Sequence, residues 1–260
     1  IELINEYLHF INPNFKIEDN NENCTFLTLV LEDGDQQVLW ALFKPEFIQR
    51  IDFSVPDPFN RSVFRIASGP GLNDILAMLA AERSSELRIN ETDTMGHTIL
   101  MHLILSRHSN LFISLIQAHH TQIDHNITSV SGLSLFDILL LSSCQEAILS
   151  YIKLFRDQLK DFPVQLKSIL SALSLGSEAI MDPLLEHPVT ALKELVLHSA
   201  VCYPRYTLKL LEKFGTQALV DEKKFVRVCV ACRLEQVILT CLDLYTPQQL
   251  QSLINESDEV

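Results

Sequence analysis

Apolar residues recur through the middle of the chain at helical spacing, and short polar turns interrupt them at a fixed interval. Leu72, Ile75, Leu76 and Leu79 follow the i, i+3, i+4, i+7 rule for a helix with one buried face. The stretches LFISLI from Leu111 and AILSYI from Ala147 are similar. A more punctuated stretch precedes each: DPFNRSVFRIAS from Asp57, DTMGHTILMHLI from Asp93 and SVSGLSLFDILL from Ser129. Four positions keep register across the three. A small polar residue opens each. Asn60, Gly96 or Gly132 follows, then Ser62, Thr98 or Ser134, then Phe64, Leu100 or Phe136. The hydroxyl residues are 36 residues apart in both intervals.

This register predicts a turn followed by a helix. Asn and Gly tolerate positive φ in a tight turn. Ser or Thr can cap the helix that follows by accepting a backbone N–H. With the second apolar stretch, each unit reads turn, helix, short loop, helix, and three such units span residues 54–157. After them the chain reads as helix pairs without the turn signature. These are Val164–Leu175 and Ser177–Leu185 around Gly176, Val189–Ser199, Arg205–Phe214, Glu222–Cys232 and Leu234–Tyr245, with a last helix capped by Thr246-Pro247. The first 50 residues differ. Ile1–Phe10 reads as a helix. The runs TFLTLVLE from Thr25 and QVLWALF from Gln37 flank Asp33-Gly34, which predicts a strand hairpin, with a helix pair as the rival reading.

The punctuated stretches resemble the ankyrin repeat, whose pattern D-x-x-G-x-T-P-L-H precedes two antiparallel helices. Asp93, Gly96, Thr98 and Leu100 fall on its D, G, T and L positions. The match is degenerate: Val63, Ile99 and Leu135 stand at the Pro position, and Arg65, Met101 and Asp137 at the His position. The resemblance covers roughly residues 54–157. It implies a mainly α, ankyrin-like helical solenoid. Residues 1–53 would form a small N-terminal α+β cap or the remnant of a preceding domain. Residues 158–260 would continue or cap the stack. It also implies a protein–protein interaction module whose fingers and first helices recruit a partner protein through a concave face. By position the finger residues are Phe59, Arg61, Thr94, Met95, His97, Val130 and Leu133. Arg65 and Asp137 stand beside them at the start of the first helices. His97 is expected to be exposed. Such modules occur in secreted effectors of intracellular bacteria, which act in a host-cell cytoplasm.

Composition narrows the partners. Hydrophobic residues make up 47% and charged residues 20%, so the chain is globular. The net charge of −13 repels phosphate backbones, so nucleic acid is not expected and a basic protein surface is. Six Cys scattered among apolar residues point to a reducing compartment. The start, IELINEYLHF, lacks the features of a signal peptide, and no apolar run approaches the roughly 20 residues of a membrane span.

The chemistry-bearing residues read as structural. Cys229-x-x-Cys232 is half a zinc motif without its second half and sits in an apolar helical run. His97, His102, His108, His119, His120 and His125 are spread over a finger, helices and a loop, so no convergent ligand set is expected. None of the common nucleophile, phosphate-binding or zinc-protease motifs occurs. No catalytic residue, metal or cofactor is therefore expected. The alternative is an accessory, substrate-recruiting region of an enzyme whose catalytic part lies in residues 1–53 or outside this sequence. A polar cleft where residues 1–53 meet the first repeat would favour it.

Overall fold

The computed structural model describes residues 8–19, 22–55, 57, 61–69, 71–159, 164–184, 196, 199–200, 203–214 and 234–244. The described chain is mainly helical, with one short hairpin. It divides into two compact units, Ile1–Leu154 and Phe155–Val260.

The first unit is built on one local device used four times. Thr25, Ser62, Thr98 and Ser134 each adopt extended backbone just before a helix. These helices are α1 (Phe26–Asp33), α4 (Val63–Ala67), α6 (Ile99–Leu105) and α8 (Leu135–Leu141). Each capping hydroxyl accepts the N–H three residues on, from Thr28, Arg65, Met101 and Asp137, at 3.1, 3.2, 3.3 and 3.0 Å. Such a cap contributes about 1 kcal/mol. Two residues past each cap, Leu27, Phe64, Leu100 and Phe136 are buried. After each first helix the backbone enters the left-handed region, at Gly34, Gly71, Arg107 and Ser143, with φ of 70°, 80°, 62° and 58°. The second helices follow: α2 (Gln36–Leu42), α5 (Asn73–Glu82), α7 (Ser109–His119) and α9 (Gln145–Leu159). A short helix, α3 (Pro45–Ile48), follows α2.

The apolar runs at residues 25–43 are therefore helices, which corrects the expected hairpin. A run of apolar, β-prone residues fits a helix as well as a strand, and local chemistry decides. Thr25 and Thr28 close a capping box, so the helix starts there. Gly34 is not a hairpin turn but the C-cap of α1, its N–H donating to Val30 O at 3.2 Å. Asp35 then caps α2, accepting from Gln37 N at 2.8 Å and Val38 N at 3.1 Å. The hairpin lies earlier. Strands β1 (Lys16–Asp19) and β2 (Glu22–Thr25) pair antiparallel, with Lys16 opposite Thr25 and Asp19 opposite Glu22. Of the expected helix Ile1–Phe10, Leu8–Phe10 form a 3-10 turn and the rest lies outside the described residues.

Between units the chain makes fingers, and these repeat too. The N–H groups of Asp57, Asp93 and Ser129 donate to the carbonyls of Arg61, His97 and Leu133 at 3.0, 3.0 and 2.8 Å. Their side chains accept from the N–H of the same three residues at 2.6, 2.8 and 3.1 Å. Stacking is apolar. Helix α1 packs on α4, and α6 on both α7 and α8. Phe53 stacks on Phe64 at 4.9 Å, and Phe136 on Tyr151 at 5.4 Å. Burying each such ring is worth roughly 1.5–3 kcal/mol.

In the second unit, α10 (Leu166–Ser174) and α11 (Glu178–Leu184) are joined at Gly176, at a φ of 64°. Helices α12 (Pro204–Phe214) and α13 (Glu235–Leu244) follow. Lys209 Nζ of α12 donates to Asp182 of α11 at 2.7 Å. The expected helix at Glu222–Cys232, with Cys229 and Cys232, and the one after Thr246-Pro247 lie outside the described residues, as does most of Val189–Ser199. No helix among the described residues is long and apolar enough to cross a membrane.

Candidate interaction surface

The fingers carry two kinds of side chain, those turned into the seam between successive helix pairs of the first unit and those left outside. Arg65 belongs to the first kind. As the third residue of α4 it has no acceptor for the N–H of its own cap. In α1 and α8 that N–H finds Thr28 Oγ1 and Asp137 Oδ2. For Ser62 the acceptor comes from further along the chain: Glu91 Oε1, at 2.7 Å. Arg65 instead reaches the next finger. Its Nη2 donates to Asp93 Oδ2 at 2.8 Å and lies 2.6 Å from His102 Nε2, and Nη1 donates to Ser68 Oγ at 2.8 Å.

Asp93 is the hub of this seam. Burial works against its charge, but bonds from the His97 N–H, the His102 ring, Arg65 and the Met95 N–H outweigh it and hold the carboxyl at about 2. His102 is shifted down, first by burial and then by the charge of Arg65 with the His97 ring beside it, against the pull of Asp93. The histidines therefore do converge in part, which corrects the expected scatter. Ligand atoms of Asp93, His97 and His102 lie within 4.8 Å of one another. The guanidinium of Arg65, however, already sits on Asp93 Oδ2 and His102 Nε2. Its fixed charge neutralises the carboxylate and opposes a divalent cation there, so these residues fit an ion-pair seam rather than a metal centre.

The seam makes stability depend on pH. His125, with Nδ1 at 2.5 Å from the Tyr151 hydroxyl, is likewise shifted down by burial, against Asp124. A histidine whose value is lowered by folding binds protons more readily when unfolded. The stability it contributes is complete above the unfolded value of about 6.5 and is lost as pH falls through it. Asp93 contributes above the ordinary carboxylate value of about 3.9 and loses its part only below that. Between pH 7.5 and 5.5 the urea midpoint should therefore fall more steeply in the wild type than in a His102→Gln, His125→Gln double variant. Equal slopes would refute the assignment.

The other predicted surface residues divide sharply. Asp137 is only 2% exposed, and its carboxylate accepts from Ser134 N and Oγ at 3.1 and 2.9 Å. It is a capping residue and offers no face to a partner. Arg65 and His97 are turned into the seam, and His97 is half-buried rather than exposed. Arg61 is drawn back by Asp57, at 2.6 Å, and by Glu32. Phe59 lies outside the described residues. Thr94, Met95 and Val130 stay outside, Met95 at 54% and Val130 at 73% exposure. The two fingertips are joined through backbone, Val130 N donating to Met95 O at 2.8 Å. Main-chain pairing thus fixes the tips while their apolar side chains face solvent.

A groove lies between the ends of α6 and α8. It is open to solvent and offers about 290 Å³. Ile104 and Ile138 form its buried floor, and Leu105, Leu133 and Leu141 its walls. Leu105 is 55% exposed and Leu141 37%. Arg107 and Ser142 line the rim. Of the predicted residues only Leu133 belongs to this groove. Leu105 and Leu141 were legible in principle, since each stands seven residues past its cap, 36 apart. An apolar residue there reads as core until the packing is known.

No family model and no curated protein matches this chain.

Proposed function

We propose that this chain is a protein–protein interaction module: an ankyrin-like helical solenoid with an N-terminal cap and a C-terminal helical extension. It recruits a partner through its fingertips and the groove beside them. One observation carries the reading. Met95 and Val130 sit at successive fingertips whose backbones are paired, and both expose large apolar side chains there. Exposed apolar groups held on a stiff, repeated frame are what an interface needs and what a solvated surface avoids. Leu105 and Leu141 extend the same surface. The net charge of −13 would steer a basic partner toward it and raise the association rate. A reducing compartment, such as a host-cell cytoplasm, suits this reading. The enzymatic alternative gains no support at the junction of residues 1–53 with the following unit. There the described residues form an apolar seam of Leu27, Leu31, Phe53 and Phe64.

The test compares wild type with Met95→Ser, Val130→Ser in affinity capture from cell extracts, read by mass spectrometry. The wild type should retain a defined protein that the variant loses at least tenfold, while the two unfold at the same temperature. Equal retention by both, or no specific retention by either, would sink the reading.

A further inference from the structure

We propose that the groove between α6 and α8 accepts a large apolar side chain of a partner protein segment, and that Arg107 pairs with a carboxylate next to it. The inference rests on the interaction-module reading and names the chemistry of its partner. Three observations lead to it. The groove is walled by Leu105, Leu133 and Leu141 over an isoleucine floor, with about 290 Å³ of space, enough for a leucine- or methionine-sized group. Arg107 is the charged residue of the lining. In a chain where acidic residues outnumber basic ones, 33 to 20, Arg61, Arg65 and Arg83 are all held in ion pairs. Arg107 is exposed and takes part in no ion pair within 4 Å among the described residues, although Asp74 lines the neighbouring hollow with it.

The third observation is the backbone. Arg107 sits at φ 62°, a conformation that glycine supplies at the matching place in the two preceding units, Gly34 and Gly71. A side chain there carries strain that glycine would not. The strained position sets Arg107 in the lining of an apolar groove, and a guanidinium held there would complement a carboxylate in a bidentate manner. Long-range attraction between the acidic chain and a basic partner sets the encounter. The local pair at Arg107 sets which segment stays.

The test is peptide selection from a random twelve-residue library displayed on phage, run on the full chain and on Arg107→Glu, followed by binding of the selected synthetic peptides. Wild type should enrich peptides with Leu, Met, Ile or Phe adjacent to Asp or Glu. Arg107→Glu should shift the adjacent position to Lys or Arg. Arg107→Gly should bind the wild-type peptides at least tenfold more weakly while keeping or raising the unfolding temperature, because glycine relieves the strain. Leu105→Ser, Leu141→Ser should abolish binding. Selected peptides without an acidic residue, unaltered by Arg107→Glu, would overturn the proposal while leaving the module reading intact. Concentration-dependent dimerisation of the wild type, lost in Leu105→Ser, Leu141→Ser, would overturn it in favour of a second copy. No enrichment on any form would count against both.

Discussion

Replacing Gly96 with alanine should destabilise the first unit by about 3 kcal/mol, roughly three times the cost of the same change at Gly34. Both glycines have positive φ, 75° and 70°. A side chain in that region costs about 1 kcal/mol wherever it stands. The surroundings make the difference. A Cβ on Gly34 would meet nothing within 4 Å. A Cβ on Gly96 would lie 2.9 Å from Thr128 O and 3.0 Å from Ser129 Cα, both backbone atoms of the next finger. The fingers would have to part, and the bond from Val130 N to Met95 O beside them would be lost, worth about 1 kcal/mol with its neighbours' packing on top. Urea unfolding of the two variants measures this directly. Equal losses would mean that the fingertips do not stack as described.

The second large effect is at Arg65. Its replacement by methionine should cost about 2–4 kcal/mol, because it strands Asp93 in a largely buried site. Asp93 would keep the N–H groups of Met95 and His97 and the ring of His102, which is why the loss stays below that of a fully orphaned charge. A second change, Asp93→Asn, made on top of Arg65→Met should recover about half of the loss. The two sites interact, so their effects cannot add. Additive losses in this double-mutant cycle would show that Arg65 acts through packing alone.

Sequence and structure agree best where the information is local. Ser62, Thr98 and Ser134 announce their helices because a hydroxyl cap acts within one turn of its own residue. The second helices are legible for a similar reason, since one buried face imposes a periodic pattern. The same device at Thr25 is hidden in the sequence, because the run after it is β-prone and Asp33-Gly34 imitates a hairpin turn. The left-handed positions show the limit more clearly. Gly34 and Gly71 signal theirs, whereas Arg107 and Ser143 adopt the same backbone with side chains that give no sign of it.

By itself, the sequence determined a mainly helical chain, the 36-residue period, three of the four caps and the acidic balance. Each follows from residue type and spacing within a few turns of helix. Tertiary structure alone decided the surface. Arg65 shares the fingers' neighbourhood with Met95 and Val130, yet it is consumed by partners 28 and 37 residues away and they are not. Which polar group finds an internal partner depends, for Arg65, on how one helix pair packs on the next within the first unit. That also decides which apolar groups remain outside and leaves Leu105, Leu141 and Arg107 around an open groove.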